Sequence, residues 1–220
     1  MTRIHVICEG QTEEAFVNEL LLEAFARRGV YLIASLLGRP GHKGGNVGFE
    51  RLLTDVKGRL LGDTRAFCTT FFDFYGLSED FPGKRSAQSL TMIDTKADCL
   101  LAALKEELQK HLGETSLRRF IPYVQMYEFE GLLFSDPQTL ATCLGQASLG
   151  AHLQKIREAF ASPEDINNSP DTAPAKRLQK LYPSYRKTLD GPIAAKKIGL
   201  RTIRRECRRF DAWLQRLETL

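Results

Sequence analysis

The sequence lacks the features that mark several large classes of protein. None of its apolar runs reaches the roughly 18 residues that a membrane-spanning helix needs, and its first residues lack the layout of a signal peptide. The five cysteines are scattered and form no CxxC pair, which argues against a zinc ribbon and a disulfide framework. We therefore expect a protein of the reduced cytoplasm that does not enter a membrane.

Motifs of several enzyme classes are absent as well. The sequence has no GxSxG motif, its four histidines form no spaced cluster, and its glycine-rich segment GRPGHKGGNVG lacks the GK[ST] ending of a phosphate-binding P-loop. This segment nevertheless follows an apolar run, and its glycines allow backbone N–H groups to approach a phosphate. His42 and Lys43 would add side-chain donors, so we predict that they contact substrate. The alternative is a flexible connection.

Charge is unevenly distributed along the chain. The net charge is +4, but residues 176–220 carry 13 Lys and Arg against 4 Asp and Glu, which leaves about −5 for the rest. A basic tail beside an acidic body suits a phosphate backbone held over a metal site. We therefore predict that Lys176, Arg177 and Lys187 bind substrate. A solvated helical face is the alternative interpretation.

Hydrophobic periodicity predicts that strands alternate with helices. Such alternation is typical of a parallel sheet with helices on both faces, so the predicted class is α/β with a four-stranded parallel sheet. The predicted strands cover residues 4–8, 31–37, 66–73 and 120–127. The predicted helices cover 12–28, 47–61, 94–112 and, in the tail, 173–182, 192–196 and 200–218. The linker-like stretch 162–177 suggests an α/β core at 1–160 and a basic helical extension, packed on this core, at 161–220.

Acidic residues follow three of the four predicted strands. Glu9 follows the first strand, and Asp73 ends the third; Glu128 and Glu130 come at the end of the fourth. Ligand sites of open α/β sheets form at the carboxyl ends of the strands, so we expect these side chains to converge. Carboxylate oxygens are the ligands that Mg²⁺ and Mn²⁺ prefer, and such ions serve phosphodiester hydrolysis. These four acids are the candidate metal ligands and catalytic residues.

Each acid also has a structural interpretation. Glu13 and Glu14 lie in the first turn of a predicted helix, where the helix dipole favours acids without any function; of the two, Glu13 is the further candidate for the metal site. Glu128 and Glu130 have strand-like parity and could face one side together, or either could cap the next element. We expect Glu128 to bind the metal and Glu130 to support it or to pair with a basic residue of the tail.

Several motifs together resemble a known family. VICEGQTEEAF, with Glu9, resembles the first motif of the Toprim domain of topoisomerases, primases and OLD-type nucleases, which carries a Glu after its first strand. Asp73 in TTFFDFYG matches the first acid of that domain's DxD motif, whereas Tyr75 stands in place of the second. MYEFEGLLFSDP, PAKRLQKLYPSYRK and IRRECRRFDAWLQRL extend the resemblance over nearly the whole chain and are similar to the Toprim-like domain of unknown function family 4276.

The resemblance implies a Toprim-like fold and a Mg²⁺- or Mn²⁺-dependent nuclease, in which Glu128 or Glu130 supplies the missing acid. It also implies a nucleic-acid substrate, DNA or RNA, and an ABC-type or AAA ATPase partner in a bacterial phage-defence or mobile-element system. The main alternative is a non-enzymatic Toprim-like module that binds nucleic acid or an ATPase and regulates it. Nucleotidyl or phosphoryl transfer on a small nucleotide is a further alternative, suggested by the glycine-rich segment alone.

Overall fold

A parallel sheet forms the centre of the molecule. The computed structural model describes residues 1–38, 46–167 and 169–220 of the chain. The strands are β1 (Thr2–Cys8), β2 (Val30–Leu36), β3 (Phe67–Asp73), β4 (Phe120–Ile121) and β5 (Val124–Gln125). Their order is β2-β1-β3-β4, β5 also pairs with β3, and each of these pairs is parallel. The predicted α/β class with a parallel sheet is confirmed.

The first helical segment joins β1 to β2. It consists of α1 (Gln11–Phe16), a π-helical stretch (Val17–Leu21) and α2 (Leu22–Ala26), where a single helix was predicted. The other helices are α3 (Phe49–Gly62), α4 (Lys84–Gln88), α5 (Ile93–Gln109), α6 (Glu114–Leu117), α7 (Pro137–Cys143), α8 (Gly150–Glu158), α9 (Pro174–Leu181), α10 (Lys187–Ile198), α11 (Leu200–Glu206) and α12 (Arg208–Glu218). In the described ranges, no helix is both long and apolar enough to cross a membrane.

The last two predicted helices of the tail have different bounds in the structure. The segment predicted at 192–196 belongs to α10, which begins at Lys187 and contains Pro192. Pro192 is the sixth residue of this helix and so lies beyond the first turn, where proline is favoured. The helix predicted at 200–218 is divided into α11 and α12, because Cys207 leaves the helical conformation with φ −115° and ψ 86°.

Side chains of the strands alternate between two hydrophobic cores. In β1, Ile4 and Val6 lie in the first core and Ile7 lies in the second. In β3, Phe71 lies in the first core and Phe72 in the second. This alternation follows from the two-residue period of a strand. Helices α3 and α5 contribute to the second core, and α1 and the tail helices contribute to the first, so helices cover both faces of the sheet.

Residues of the tail belong to the first core. Leu178 of α9, Ala195 of α10 and Phe210 of α12 are almost fully buried there. The centroid of the Phe210 ring lies 5.8 Å from that of Phe16 and 6.4 Å from that of Phe71. The tail helices therefore pack on the same face of the sheet as α1, while the division of the chain at residue 160 remains a prediction.

Two short strands replace the single fourth strand that was predicted at 120–127. Between β4 and β5, Pro122 has no N–H group to donate, and the backbone of Tyr123 faces the Thr70 side chain. The Thr70 hydroxyl accepts a hydrogen bond from Tyr123 N at 2.9 Å and donates one to Tyr123 O at 2.7 Å. A side chain therefore takes the place of the backbone ladder, and the expectation of a continuous strand is wrong at this point.

We predict that Thr70→Val lowers the free energy of unfolding by about 1–3 kcal/mol, because it leaves a buried N–H group of Tyr123 without a partner. Thr70 is fully buried, and valine keeps its shape without its hydroxyl group. Urea unfolding measures the change. The control is Thr54→Val, at an exposed threonine of α3, for which we expect a change within about 0.5 kcal/mol. Equal effects of the two substitutions would contradict the role of Thr70.

Candidate functional site

Glu9 lies directly after β1, at the carboxyl edge of the sheet. Its Oε2 accepts a hydrogen bond from the backbone N–H of Asp73 at 2.9 Å, which joins the ends of β1 and β3. A Cβ atom on Gly76 would lie 2.1 Å from each carboxylate oxygen of Glu9. Only glycine at this position therefore leaves room for the Glu9 carboxylate.

Glu13 closes the N-terminus of α1. Its Oε2 accepts a hydrogen bond from the backbone N–H of Gly10 at 2.9 Å, as in a capping box. The side chain is only 2% exposed, and its charge interacts with those of Asp73 and Lys187. Glu13 thus serves the helix, as one interpretation of the sequence predicted, and also adds a buried acid to the edge of the sheet.

The ammonium group of Lys187, the first residue of α10, lies between two buried carboxylates. Lys187 Nζ donates a hydrogen bond to Asp73 Oδ2 at 2.9 Å and lies 3.4 Å from Glu130 Oε2. Glu130 also accepts a hydrogen bond at Oε1 from Tyr185 OH at 3.2 Å. Within the described part of the chain, Asp73 Oδ1 and Glu130 Oε2 have no hydrogen-bond partner. Two buried carboxylate oxygens thus retain the capacity to bind a further cation or donor.

Glu128 and Glu130 do not end a strand, contrary to the expectation from the sequence. β5 ends three residues before Glu128, Tyr127 has a left-handed backbone with φ 65°, and a 3-10 helix covers Phe129–Ser135. These changes of conformation remove the strand parity on which the expectation depended. Glu128 Oε2 accepts a hydrogen bond from Ala175 N at 2.8 Å and so caps the start of α9. The sequence suggested that one of these acids could cap the next element, but the Glu128 side chain makes no capping hydrogen bond to the 3-10 helix that follows it and binds the distant α9 instead.

Burial raises the pKa values of four glutamates at this edge. The pKa of Glu9 rises to about 8, first because the side chain is buried and then because the Asp73 carboxylate repels a second negative charge. The same two causes raise the pKa of Glu13 to about 8. Burial also raises the pKa of Glu130 to about 7, although a nearby ammonium group opposes this change, and it raises the pKa of Glu128. Near neutral pH these four side chains therefore favour their protonated, uncharged forms more than exposed acids do.

Lys187 is the cation that the cluster contains. Burial disfavours its charge, but the carboxylates of Asp73, Glu130 and Glu13 outweigh burial and raise the pKa of Lys187 above its ordinary value. In the described ranges, neither this cluster nor any other group of three or more His, Cys, Asp or Glu side chains is arranged so that it could hold a metal ion. Asp73 and Glu130 contact Lys187 instead, so metal binding would require side chains of the cluster to move.

Two predicted substrate-binding residues lie on α9, in different surroundings. Lys176 is exposed. Arg177 Nε donates a hydrogen bond to the Thr172 carbonyl oxygen at 2.6 Å, and its guanidinium carbon lies 5.4 Å from the centroid of the Phe160 ring. Arg177 is therefore engaged in the fold, and Lys176 is the freer of the two to meet a phosphate.

Much of the positive charge of the tail is paired with acids of the same chain. Such ion pairs join Lys196 to Glu19, Arg208 to Asp94, Arg209 to Asp94 and Asp98, and Arg204 to Asp211 and Glu218. Each exposed pair contributes little stability, but together they reduce the charge that the tail offers to a phosphate backbone. His42 and Lys43, the other predicted substrate contacts, lie outside the described residues.

The structure adds two residues that sequence reasoning missed, Tyr185 and Gly76. Gly76 lies three residues after a candidate ligand, and a glycine so placed is a signal of close approach that could have been used. Tyr185 lies two residues before Lys187, but its partner Glu130 is 55 residues earlier in the chain. No local pattern shows a contact over such a distance.

Fold and site together define an α/β protein with buried carboxylates around a lysine at the carboxyl edge of a parallel sheet. The chain belongs to the family described as Domain of unknown function (DUF4276), whose model matches residues 8–218. Among solved structures, it is similar to the C-terminal region of the Xanthomonas campestris pv. campestris OLD protein. The structures phased with iodine and with platinum have 14% and 15% identity and TM-scores of 0.39 and 0.40, and the alignments cover 98% of this chain and 98% and 95% of theirs. A comparison with curated proteins found no match.

We predict that the metal-free protein becomes less stable as the pH rises through the neutral range. The pKa of Glu9 is raised from 4.5 to about 8, so between these values the folded protein holds a proton that the unfolded chain releases. The free energy of unfolding attributable to Glu9 is therefore highest below the lower value and falls as the pH rises toward the higher one. The slope is up to about 1.4 kcal/mol per pH unit for one proton.

Urea unfolding of the wild type and of Glu9→Gln, measured from about pH 5 to about pH 9, tests this linkage. Glutamine can still accept the hydrogen bond from Asp73 N but cannot ionise, so we expect a shallower slope for the variant. Glu23→Gln, at an exposed acid of α2, is the control and should keep the wild-type slope. Identical slopes for Glu9→Gln and the wild type would exclude Glu9 as the group responsible.

Proposed function

We propose that the protein is a Mg²⁺- or Mn²⁺-dependent nuclease that cleaves phosphodiester bonds of DNA or RNA at a Toprim-like site. The observation that carries this proposal is the buried cluster at the carboxyl edge of the sheet. It combines acids from separate segments of the chain with one lysine, and most of these acids have raised pKa values. Perturbed pKa values cluster at functional sites. The Toprim-like motifs around Glu9 and Asp73 in the sequence support the same reading.

The chemistry of the donors fits a hard divalent cation. Carboxylate oxygens are its preferred ligands, and Asp73 Oδ1 is a buried oxygen without a hydrogen-bond partner in the described structure. Glu9 and Asp73, with Glu128 or Glu130 as a third acid, would hold the ion. A bound cation would polarise the phosphate and favour ionisation of a nearby water. It would also neutralise charge that burial makes costly at this edge.

The remaining groups of the cluster have roles that follow from their contacts. Lys187 carries the positive charge that a phosphate oxygen would meet, while Tyr185 orients Glu130 through its hydrogen bond. Glu130 has a pKa of about 7 and an Oε2 without a hydrogen bond, which suits it to accept a proton from an attacking water when Glu128 binds the ion. The Asp73 N–H group holds the Glu9 carboxylate in place.

A specific observation favours the second candidate function, a non-enzymatic Toprim-like module that binds nucleic acid or an ATPase and regulates it. Lys187 already contacts Asp73 and Glu130, the two acids that would otherwise face a cation. A lysine in this position can stabilise a buried acidic cluster with no metal and no reaction. The two candidates differ in one measurable property, because only the nuclease requires a divalent ion.

The partner of the protein, in this proposal, is an ABC-type or AAA ATPase of a bacterial phage-defence or mobile-element system. This part of the proposal is supported by the family resemblance of the sequence motifs alone. Nucleic-acid binding has the further support of Lys176, which is exposed on the helix that Glu128 caps. Lys176 also lies close enough to Glu128 to lower its pKa against the effect of burial.

We predict that Mn²⁺ or Mg²⁺ raises the melting temperature of the wild type and supports cleavage of nucleic acid. A ligand at 100 times its Kd adds about 2.7 kcal/mol to the free energy of unfolding. Glu9→Gln and Asp73→Asn should abolish both effects, because each removes a charged ligand. Of Glu128→Gln and Glu130→Gln, the one at the third ligand should resemble Glu9→Gln, and the other should be milder.

Glu114→Gln, at an acid that is 72% exposed, is the matched control and should respond to metal as the wild type does. Thermal unfolding across a metal titration and a cleavage assay on labelled DNA and RNA provide the two readouts. A wild type that shows neither a metal-dependent shift nor metal-dependent cleavage would reject the nuclease and leave the regulatory module.

We also predict that Lys176→Ala weakens nucleic-acid binding and makes it less dependent on salt. Each lost phosphate contact lowers the slope of log K against log salt by about 0.9 on duplex DNA. The control is Lys105→Ala, at an exposed lysine of α5. If Lys176→Ala leaves the slope of log K against log salt unchanged, Lys176 makes no phosphate contact and this part of α9 is only a solvated surface.

A further inference from the structure

We propose that Tyr75, which packs on Tyr127 in a pair here called the tyrosine shelf, stacks against an unpaired nucleobase of single-stranded DNA or RNA. This inference rests on the proposed function, because it names the part of the substrate that is held beside the carboxylates. Tyr75 lies two residues after Asp73, and Tyr127 directly precedes Glu128. Both rings are therefore attached to segments that supply acids to the cluster.

The two residues of the shelf are held together by a ring contact and a backbone hydrogen bond. The ring centroids are 5.7 Å apart, with 41° between the ring planes, and Tyr75 N donates a hydrogen bond to Tyr127 O at 3.1 Å. Tyr127 is nearly buried, whereas Tyr75 is half-buried and retains a surface in contact with solvent. The shelf thus combines a ring anchored in the protein with a ring that a ligand can reach.

The backbone of Tyr127 is strained. Tyr127 has φ 65°, and it is the one non-glycine residue in the described ranges with a positive φ. Bulky side chains rarely adopt this conformation because the Cβ atom then crowds the backbone. Such strain occurs preferentially at functional sites, where it places a side chain that the regular path of the chain would direct elsewhere. Here it turns the chain between β5 and Glu128 at the point where Tyr127 meets Tyr75.

Lys96 provides positive charge that a ligand can reach beside these rings, whereas Lys84 supports the rings from inside the protein. Lys84 is only 1% exposed, and its Nζ donates a hydrogen bond to the Phe74 carbonyl oxygen, so it is not available to a phosphate. Lys84 Nζ lies 3.7 Å from the centroid of the Phe74 ring and 5.8 Å from that of Tyr75. Lys96 Nζ lies 5.6 Å from the centroid of Tyr127 and is partly exposed. Aromatic rings next to cations are the arrangement with which proteins bind single strands, because the rings stack on bases and the cations meet phosphates.

The chemistry of the Tyr75 ring favours an unpaired base over a metal ion or a duplex as the ligand of the shelf. A tyrosine face offers no ligand to a metal, so Tyr75 does not replace the acid that the DxD pattern has at this position. It offers instead a planar surface next to Glu128, whose charge helps to raise the pKa of Tyr75 after the larger effect of burial. A base within a duplex is already stacked on its neighbours, so only an unpaired base has a free face for this ring.

The test compares base-bearing and abasic single strands of equal length, in DNA and in RNA, by fluorescence anisotropy in EDTA. Both strands carry the same phosphates, so the contribution of the phosphates cancels in the ratio of the two dissociation constants and only the contribution of the bases remains. The wild type should prefer the base-bearing strand, and Tyr75→Leu should weaken binding of that strand by about 5-fold to 150-fold while leaving the abasic strand unchanged. Tyr75→Phe keeps the ring and should keep the ratio. Whichever of DNA and RNA gives the larger ratio is the source of the base.

The control variant is Tyr31→Leu, at a tyrosine that is 42% exposed at the start of β2 and so at the opposite end of the strands. It should keep the wild-type ratio. Equal affinity of the wild type for base-bearing and abasic strands would overturn the proposal, as would equal weakening of both strands by Tyr75→Leu. The binding assay contains EDTA and therefore does not depend on a metal. If the wild type prefers the base-bearing strand but shows no metal-dependent cleavage, the stacking role of the shelf stands and the nuclease is rejected.

Discussion

The contact of Lys187 with Asp73 and Glu130 is the interaction on which the rest of the site depends. A buried carboxylate without a partner is costly, because its charged form loses hydration that nothing replaces. Lys187 offsets this cost for two acids and holds the start of α10 against the end of β3. The same helix brings Gly191 against the neighbouring side chains, where a Cβ atom would lie 3.2 Å from Tyr185 Oη. The tail therefore contributes side chains both to the site and to the first hydrophobic core.

Several buried acids of this protein accept hydrogen bonds from the backbone N–H groups at the starts of helices, and these bonds fix their positions. Glu13 accepts a backbone hydrogen bond at the start of α1, and Glu128 does so at the start of α9. Glu164 repeats the arrangement away from the site, since its two oxygens accept hydrogen bonds from Arg209 N at 2.9 Å and Phe210 N at 3.0 Å, where α12 begins. The free N–H groups of a helix start stabilise a negative charge. A capping role and a role in the site are therefore compatible, and one carboxylate can serve both.

The first three strands and the edge at which the acids gather were predictable, because both follow from local patterns. Glu9 and Asp73 come directly after apolar runs, and the topology of a parallel sheet brings such positions to one edge. The path after β5 was not predictable, since it depends on the hydroxyl group of Thr70 and on the left-handed backbone of Tyr127. Nor did composition reveal which cations of the tail are paired within the fold. Lys187 was expected to meet substrate, whereas the structure shows it as the basic residue of the tail that pairs with Glu130, and as a partner of Asp73 as well.

The separation of Lys187 from Asp73, 114 residues along the chain, has a consequence for biosynthesis. The strands leave the ribosome well before the lysine is translated, and closing so long a loop is slow compared with local folding. The tail supplies both this lysine and the side chains of α9, α10 and α12 that complete the first core. One face of the sheet and the acidic edge therefore gain their partners together, only after the tail has been translated.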